Sequence, residues 1–156
     1  MNRSVFISWK HADNKRNQRF IKALALELVK CGFSVWWDRT ALTNFGVVDE
    51  YSTRKKNEML NRLLRQGISQ STAVLAFWTE SYGTSSKPNG PNWTRKEWHV
   101  RHAVARIAMV PGEFARKRRM AEPDQVIRIP QNPDLEDAVR VARRFRQTYD
   151  LMKGGR

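Results

Sequence analysis

Five short apolar bursts punctuate the chain, and their rhythm constrains the fold more than any other property: Val5–Ile7, Phe33–Trp37, Ala73–Trp78, Ile107–Val110 and Val126–Ile129. Most are near-continuous in apolar residues, the pattern of strands buried on both faces of a parallel sheet. Between Arg16 and Lys30, Phe20, Ile21, Leu24, Leu28 and Val29 recur at helical spacing, with Gly32 as the stop signal. Asn57–Gln66 repeats the pattern with Met59, Leu60, Leu63 and Leu64. Asp134–Met152 repeats it again with Leu135, Ala138, Val139, Ala142, Phe145 and Tyr149 on one face and arginines on the other. A strand, a crossover helix and another strand make a parallel β-α-β unit. The expectation is therefore a doubly wound α/β domain with a parallel, approximately five-stranded sheet. Strand order is not readable from the pattern, and 107–110 competes with continuation of the preceding helix.

A chain of 156 residues is long enough for one core and too short for two independent ones, so 1–156 reads as a single domain. Its formal net charge of +14 favours anionic partners and says nothing about fold. The charge concentrates in three runs, Arg54–Lys56, Arg116–Arg119 and Arg140–Arg146. A nucleic-acid surface needs a continuous basic face with interleaved aromatics, and these runs are separated along the chain. Solvated faces are the expectation, with a basic nucleotide- or nucleic-acid-binding domain as the alternative if folding merges them. Cys31 is the single cysteine, which excludes an intrachain disulfide, and its place before Gly32 at a helix end suggests a partly buried thiol. No apolar run approaches the roughly 20 residues that span a bilayer, and the start MNRS lacks a secretory pattern, so a cytoplasmic, membrane-free protein is expected. His99 and His102 lie three apart, yet no cysteine or acid completes a site, and no metal is expected. P-loop, Rossmann-fingerprint and nucleophile-elbow motifs are absent.

The segment Asn92–Trp98, NWTRKEW, follows the third burst and a loop, Thr79–Pro91, that contains Gly83, Pro88, Gly90 and Pro91. Those residues disfavour regular structure and bring a helix start to the C-terminal edge of the sheet, where open α/β sheets bind ligands. Trp93 and Glu97 are four apart and share one helix face. By itself Glu97 has a plain explanation, a first-turn acid complementing the helix macrodipole for ~0.3–1 kcal/mol. Trp93 is equally a flat stacking wall or a helix-to-sheet anchor, and Trp98, about 100° around the helix, is better explained by packing. Ser8, Trp9 and Lys10 follow the first strand and belong at the same edge.

Four segments in order resemble the Toll/interleukin-1 receptor (TIR) domain family. Val5–Trp9, VFISW, is similar to its first-strand FISY box with Trp for Tyr, and Cys31–Asp38, CGFSVWWD, to its GFxVWxD box. Val74–Tyr82, VLAFWTESY, is similar to the third-strand VLLLSPNY box, and Trp93–Glu97, WTRKE, to the helix start that carries tryptophan and glutamate four apart. The match runs from Arg3 to about Val110, and the C-terminal third, including the helix at 134–152, matches only in pattern. The resemblance implies a flavodoxin-like TIR fold. It also implies one of two functions, since TIR domains are either scaffolds that recruit other TIR domains or enzymes that cleave NAD+ at the nicotinamide–ribose bond.

For the enzymes, the resemblance implies a catalytic glutamate at Glu97. A lone carboxylate is chemically sufficient: a glycosidase normally needs a second acid to protonate the leaving oxygen, whereas nicotinamide in NAD+ leaves as an already cationic group. The carboxylate has only to stabilise the oxocarbenium-like ribose or hold its hydroxyls. NAD+ is then substrate, with no cofactor, and the products are nicotinamide and ADP-ribose or a cyclic isomer. Ser8, Trp9 and Lys10 become substrate-binding candidates, Lys10 through the pyrophosphate, although a solvated loop charge accounts for it too. Thr79 keeps the hydroxyl of the family serine, and Tyr82 matches the family tyrosine. Asp38 and Phe45 belong to the loop that, in the family, crosses to a neighbouring domain, so a homo-oligomer through residues 38–53 is implied. Here Asn44-Phe45-Gly46 replaces the usual Gly-Pro or Pro-Gly tip, a departure that bears on assembly geometry. The chain resembles stand-alone microbial TIR proteins, for which antiphage signalling through a downstream effector protein is a common setting. A non-enzymatic TIR interaction module is the competing reading.

Overall fold

The computed structural model describes residues 3–9, 15–37, 72–84, 93–99 and 105–154. The helix read over Asn57–Gln66 and the run Arg54–Lys56 lie outside the described residues. The elements are β1 (Ser4–Ser8), α1 (Lys15–Lys30), β2 (Ser34–Trp37), β3 (Ala73–Phe77), α2 (Trp93–Trp98), β4 (Ala105–Pro111), β5 (Gln125–Ile129) and α3 (Leu135–Gly154). The strands form one all-parallel sheet in the order β2-β1-β3-β4-β5. This is the doubly wound, flavodoxin-like α/β fold that the alternation predicts.

Position in the sheet explains each strand's sequence. β1 and β3 are flanked on both sides and buried at every residue, hence their unbroken apolar runs. β5 lies at an edge, with Ile127 and Ile129 buried and Arg128 exposed between them. Residues 105–111 are a strand, paired with β3 on one side and β5 on the other. Ile107 and Met109 face one core cluster and Ala108 and Val110 the other, the two-sided apolar pattern that an interior strand requires and a one-faced helix does not.

Those two clusters are the layers above and below the sheet. One joins Val5, Ile7, Leu75 and Phe77 to Phe20, Leu24 and Leu28 of α1 and to Val141, Phe145 and Tyr149 of α3. The other joins Val74, Ala76 and Trp78 to Tyr82 and to Trp98 of α2. Alternation along β1 thus turns Val5 and Ile7 toward α1 and leaves Ser8 on the α2 side.

Local signals set the helix ends. Gly32, at φ +93°, lets the Gly32 N–H reach the Val29 carbonyl at 3.0 Å and the Phe33 N–H reach the Leu28 carbonyl at 3.1 Å, a complete Schellman stop. Phe33 then packs edge-on against Phe145 and Tyr149, both with ring centroids at 5.2 Å, which pins α3 to the start of β2. Two residues of the helical patterns face water instead. Val29 is exposed, because Phe20, Ile21, Leu24 and Leu28 already fill the inward stripe of α1. Leu135 is exposed in the first turn of α3, and Val141, absent from the expected set, is fully buried. The inward stripe of α3 is centred on Ala138, Val141 and Phe145. Cys31 is half-buried, and no helix among the described residues is long and apolar enough to cross a membrane.

Candidate active site

The strand order reverses between β1 and β3, and it is at the C-terminal ends of strands beside such a switch point that open α/β sheets bind ligands. Three elements bring side chains there: Ser8 closes β1, Tyr82 sits in the turn after β3, and Glu97 lies on α2. The turn is built for this. Tyr82 N–H donates to the Thr79 carbonyl at 3.1 Å, and Gly83, at φ +86°, donates its N–H to Thr94 Oγ1 at 2.9 Å, tying the turn to the second residue of α2.

Glu97 is 1 % exposed, a charged residue buried within the described core. Ser8 Oγ donates to Glu97 Oε2 at 2.5 Å, and Tyr82 Oη donates to Ser8 Oγ at 2.8 Å while lying 3.3 Å from the Thr94 carbonyl oxygen. Ser8 and Tyr82 are themselves buried. The helix begins at Trp93, so Glu97 falls beyond its first turn and the macrodipole does not explain it. Placing a carboxylate in a low-dielectric site costs several kcal/mol that glutamine or leucine would not incur, and such retained costs mark functional sites.

An aromatic wall backs this network. Trp78 meets Trp98 at 4.8 Å and Tyr82 at 5.4 Å between ring centroids. Trp98 is anchored by its Nε1–H to the Ala121 carbonyl at 2.8 Å, so packing is its role, as its position on the helix implies. Arg106 Nε donates to the Trp98 carbonyl at 2.7 Å and closes the C-terminus of α2. His99 accepts the Ala121 N–H at Nε2, 3.0 Å, which fixes its other ring nitrogen as the donor to the Arg95 carbonyl at 2.8 Å. Among the described residues no group of three or more His, Cys, Asp or Glu side chains is arranged to hold a metal.

The structure thus joins Tyr82, Ser8 and Glu97 in one hydrogen-bonded chain. Trp9 is buried at the end of β1, and Trp93 opens α2 four positions before Glu97. Thr79 is half-buried with its hydroxyl 3.4 Å from Ser81 Oγ. Lys10, Asp38 and Phe45 lie outside the described residues. Thr94 is missing from the sequence-derived set; its side chain and carbonyl both serve the network, and a threonine one residue past a tryptophan gives no signal of it.

Thr79 also lines a separate cavity of about 760 Å³ beyond the ends of β3 and β4, with Asn17, Glu80, Glu113, Lys117 and Gln131. Lys117 stands 5.7 Å from the Trp78 ring centroid and donates to the Glu80 carbonyl at 3.0 Å. Burial holds its ammonium below the usual lysine range, with the Glu80 charge opposing that shift. In sequence Lys117 is one of four successive basic residues, and only the fold of the β4–β5 connection distinguishes it. Glu97 is not among the residues lining this cavity. We place the candidate centre at Glu97, because a buried carboxylate held by a buried hydroxyl network is a costly arrangement, whereas the cavity combines a buried apolar floor of Phe77, Trp78 and Val110 with half-buried and exposed polar side chains and encloses no fully buried charge among the described residues.

No curated protein gives a significant match to the chain. A family model described as TIR domain matches residues 5–140, a span that takes in every strand of the sheet together with Ser8, Tyr82 and Glu97. The chain belongs to the TIR domain family.

Proposed function

We propose that this TIR domain is an NAD+ glycohydrolase or cyclase, with Glu97 as its catalytic carboxylate. The observation that carries the reading is the buried Glu97, held by Ser8 at the C-terminal edge of β1. In the reaction the bond between ribose C1′ and the nicotinamide nitrogen breaks heterolytically. Its electron pair goes to the ring nitrogen, cancels the pyridinium charge and releases neutral nicotinamide. Glu97 stabilises the positive charge left on the ribose, a role in which a fixed anion in a low-dielectric site is far more effective than one in water. Water then adds at C1′ and gives its proton to Glu97, yielding ADP-ribose, or an adenine nitrogen adds and yields a cyclic isomer. Family membership supports the reading, since TIR domains include NAD+-cleaving enzymes; it equally includes scaffolds. The setting that fits the resemblance is cytoplasmic antiphage immune signalling.

The test is nicotinamide release from NAD+ by concentrated protein, followed chromatographically, for wild type and Glu97→Gln. The expected result is turnover by wild type and a loss of at least about a hundredfold in the variant, the scale on which a positioned proton-transfer group contributes. Equal release by both proteins sinks the assignment of Glu97, and no release by either favours the interaction module.

A further inference from the structure

We propose that Ser8 and Tyr82 are positioning residues for Glu97, forming a two-hydroxyl relay whose polarity reverses, so that the buried carboxylate is held in one place both charged and protonated. The proposal rests on reading Glu97 as the group that accepts a proton during catalysis.

Donor counting fixes the resting polarity. An ionised carboxylate only accepts, so the single Ser8 hydroxyl proton points to Oε2 at 2.5 Å and Ser8 Oγ accepts from Tyr82 at 2.8 Å. Tyr82 Oη also lies 3.3 Å from the Thr94 carbonyl, which can only accept. When the carboxyl group takes up a proton at Oε2, that oxygen becomes the donor to Ser8 Oγ. The Ser8 proton then turns to Tyr82 Oη, and the Tyr82 proton turns to the Thr94 carbonyl. Each hydroxyl gives one hydrogen bond and receives one, the system has gained one proton, and no heavy atom has moved. A proton arriving at Oε1 leaves the polarity as it was, with Ser8 still donating to Oε2. Both charge states are therefore satisfied in a site where an unmade hydrogen bond costs about 1–3 kcal/mol.

Beyond Tyr82 the relay meets a backbone carbonyl of α2 itself, a group that only accepts, so the Tyr82 proton turns toward it and is not transferred to it. The Tyr82 hydroxyl is also the part of that residue that packing leaves unexplained. Its ring lies against Trp78 at 5.4 Å and Trp98 at 6.5 Å, contacts that a phenylalanine would make equally well.

A double-mutant cycle with Tyr82→Phe, Ser8→Ala and the pair tests this, with two readouts. One is kcat and KM for nicotinamide release; the other is the infrared carboxyl signature of Glu97, assigned by difference against Glu97→Gln. In the relay Tyr82 reaches Glu97 through Ser8, so each single substitution is expected to lower kcat by about tenfold with KM within about twofold, and the double variant to be no slower than Ser8→Ala alone. The Glu97 band is expected to move in both single variants and in the double to match Ser8→Ala. Multiplicative losses, approaching about a hundredfold in the double variant, or a Glu97 band that stays put in Tyr82→Phe, overturn the relay. If wild type releases no nicotinamide, the infrared arm still decides. A band shift then keeps the relay and removes the NAD+ reading, and an unmoved band removes the relay. Should Ser8→Ala fail to fold, the Tyr82→Phe band decides, since that change keeps the ring.

Discussion

Gly83 carries the sharpest single-residue requirement around the site. Its φ of +86° lies in the left-handed region, a Cβ there would stand 3.3 Å from Met120 Sδ, and its N–H holds Thr94 Oγ1. Methionine is flexible enough to give way, so the backbone conformation sets the cost. Gly83→Ala is expected to lower the free energy of unfolding by about 1–2 kcal/mol in a denaturant titration, and a variant as stable as wild type would contradict the strain argument. At this scale the sequence was legible in part. Glu97 stands out because it is four residues from Trp93 beside a sheet edge. Ser8 and Tyr82 are named by their place at the same sheet edge and by the resemblance, but not as partners of Glu97, because Ser8 is 89 positions from Glu97 and 74 from Tyr82 and nothing local in a serine or a tyrosine reports a contact over that separation. The burial that removes Glu97 from the class of ordinary first-turn acids is likewise a property of the assembled layers.

Among the elements, α3 begins with a reciprocal cap: Asp134 N–H donates to Asp137 Oδ2 at 2.9 Å, and Asp137 N–H donates to Asp134 Oδ1 at 3.0 Å. The first of these bonds holds the Asp137 carboxyl below its usual range, with Arg140 at 3.1 Å assisting and partial burial opposing. A carboxylate whose folded value is depressed contributes stability that is fully present above its unfolded value near 3.8 and is lost as pH falls through the lower folded value. Asp137→Ala is expected to cost about 1 kcal/mol at neutral pH and to show less additional loss than wild type between pH 4 and strong acid, measured by thermal unfolding across pH. A difference between the two proteins that stayed constant down to strong acid would count against the cap. Helix ends were readable where chemistry is local, as at Gly32. Which face of a helix turns inward was less so: Leu135 and Val29 obey the helical period, but the position of the sheet, not the period, centres the stripe on Val141 and Leu28. The strand at 105–111 became unambiguous only with neighbours on both sides.

For the whole molecule, the alternation of bursts and helices sufficed to predict an all-parallel doubly wound sheet, because crossover connections leave few other ways to bury strands on two faces. The order β2-β1-β3-β4-β5 and the place of its reversal point needed the assembled sheet. The resemblance implies a homo-oligomer through residues 38–53, which lie outside the described residues, and we propose that the site is shared between copies of the chain. Nicotinamide release per mole of protein is then expected to rise with protein concentration at fixed salt, read from initial rates over a dilution series. A strictly constant specific rate would argue for a self-sufficient single copy.

The 1 % exposure of Glu97 carries a consequence for a cell that houses this protein. On the proposed reading the dinucleotide has to reach that carboxylate, so turnover is limited to the fraction of molecules in which Glu97 is uncovered. Each 1.4 kcal/mol or so that uncovering costs lowers idle consumption of the metabolite about tenfold. An enzyme able to drain a shared nucleotide pool would in this way turn over slowly but measurably when unstimulated, and its activator would be whatever makes the uncovered form cheaper to reach.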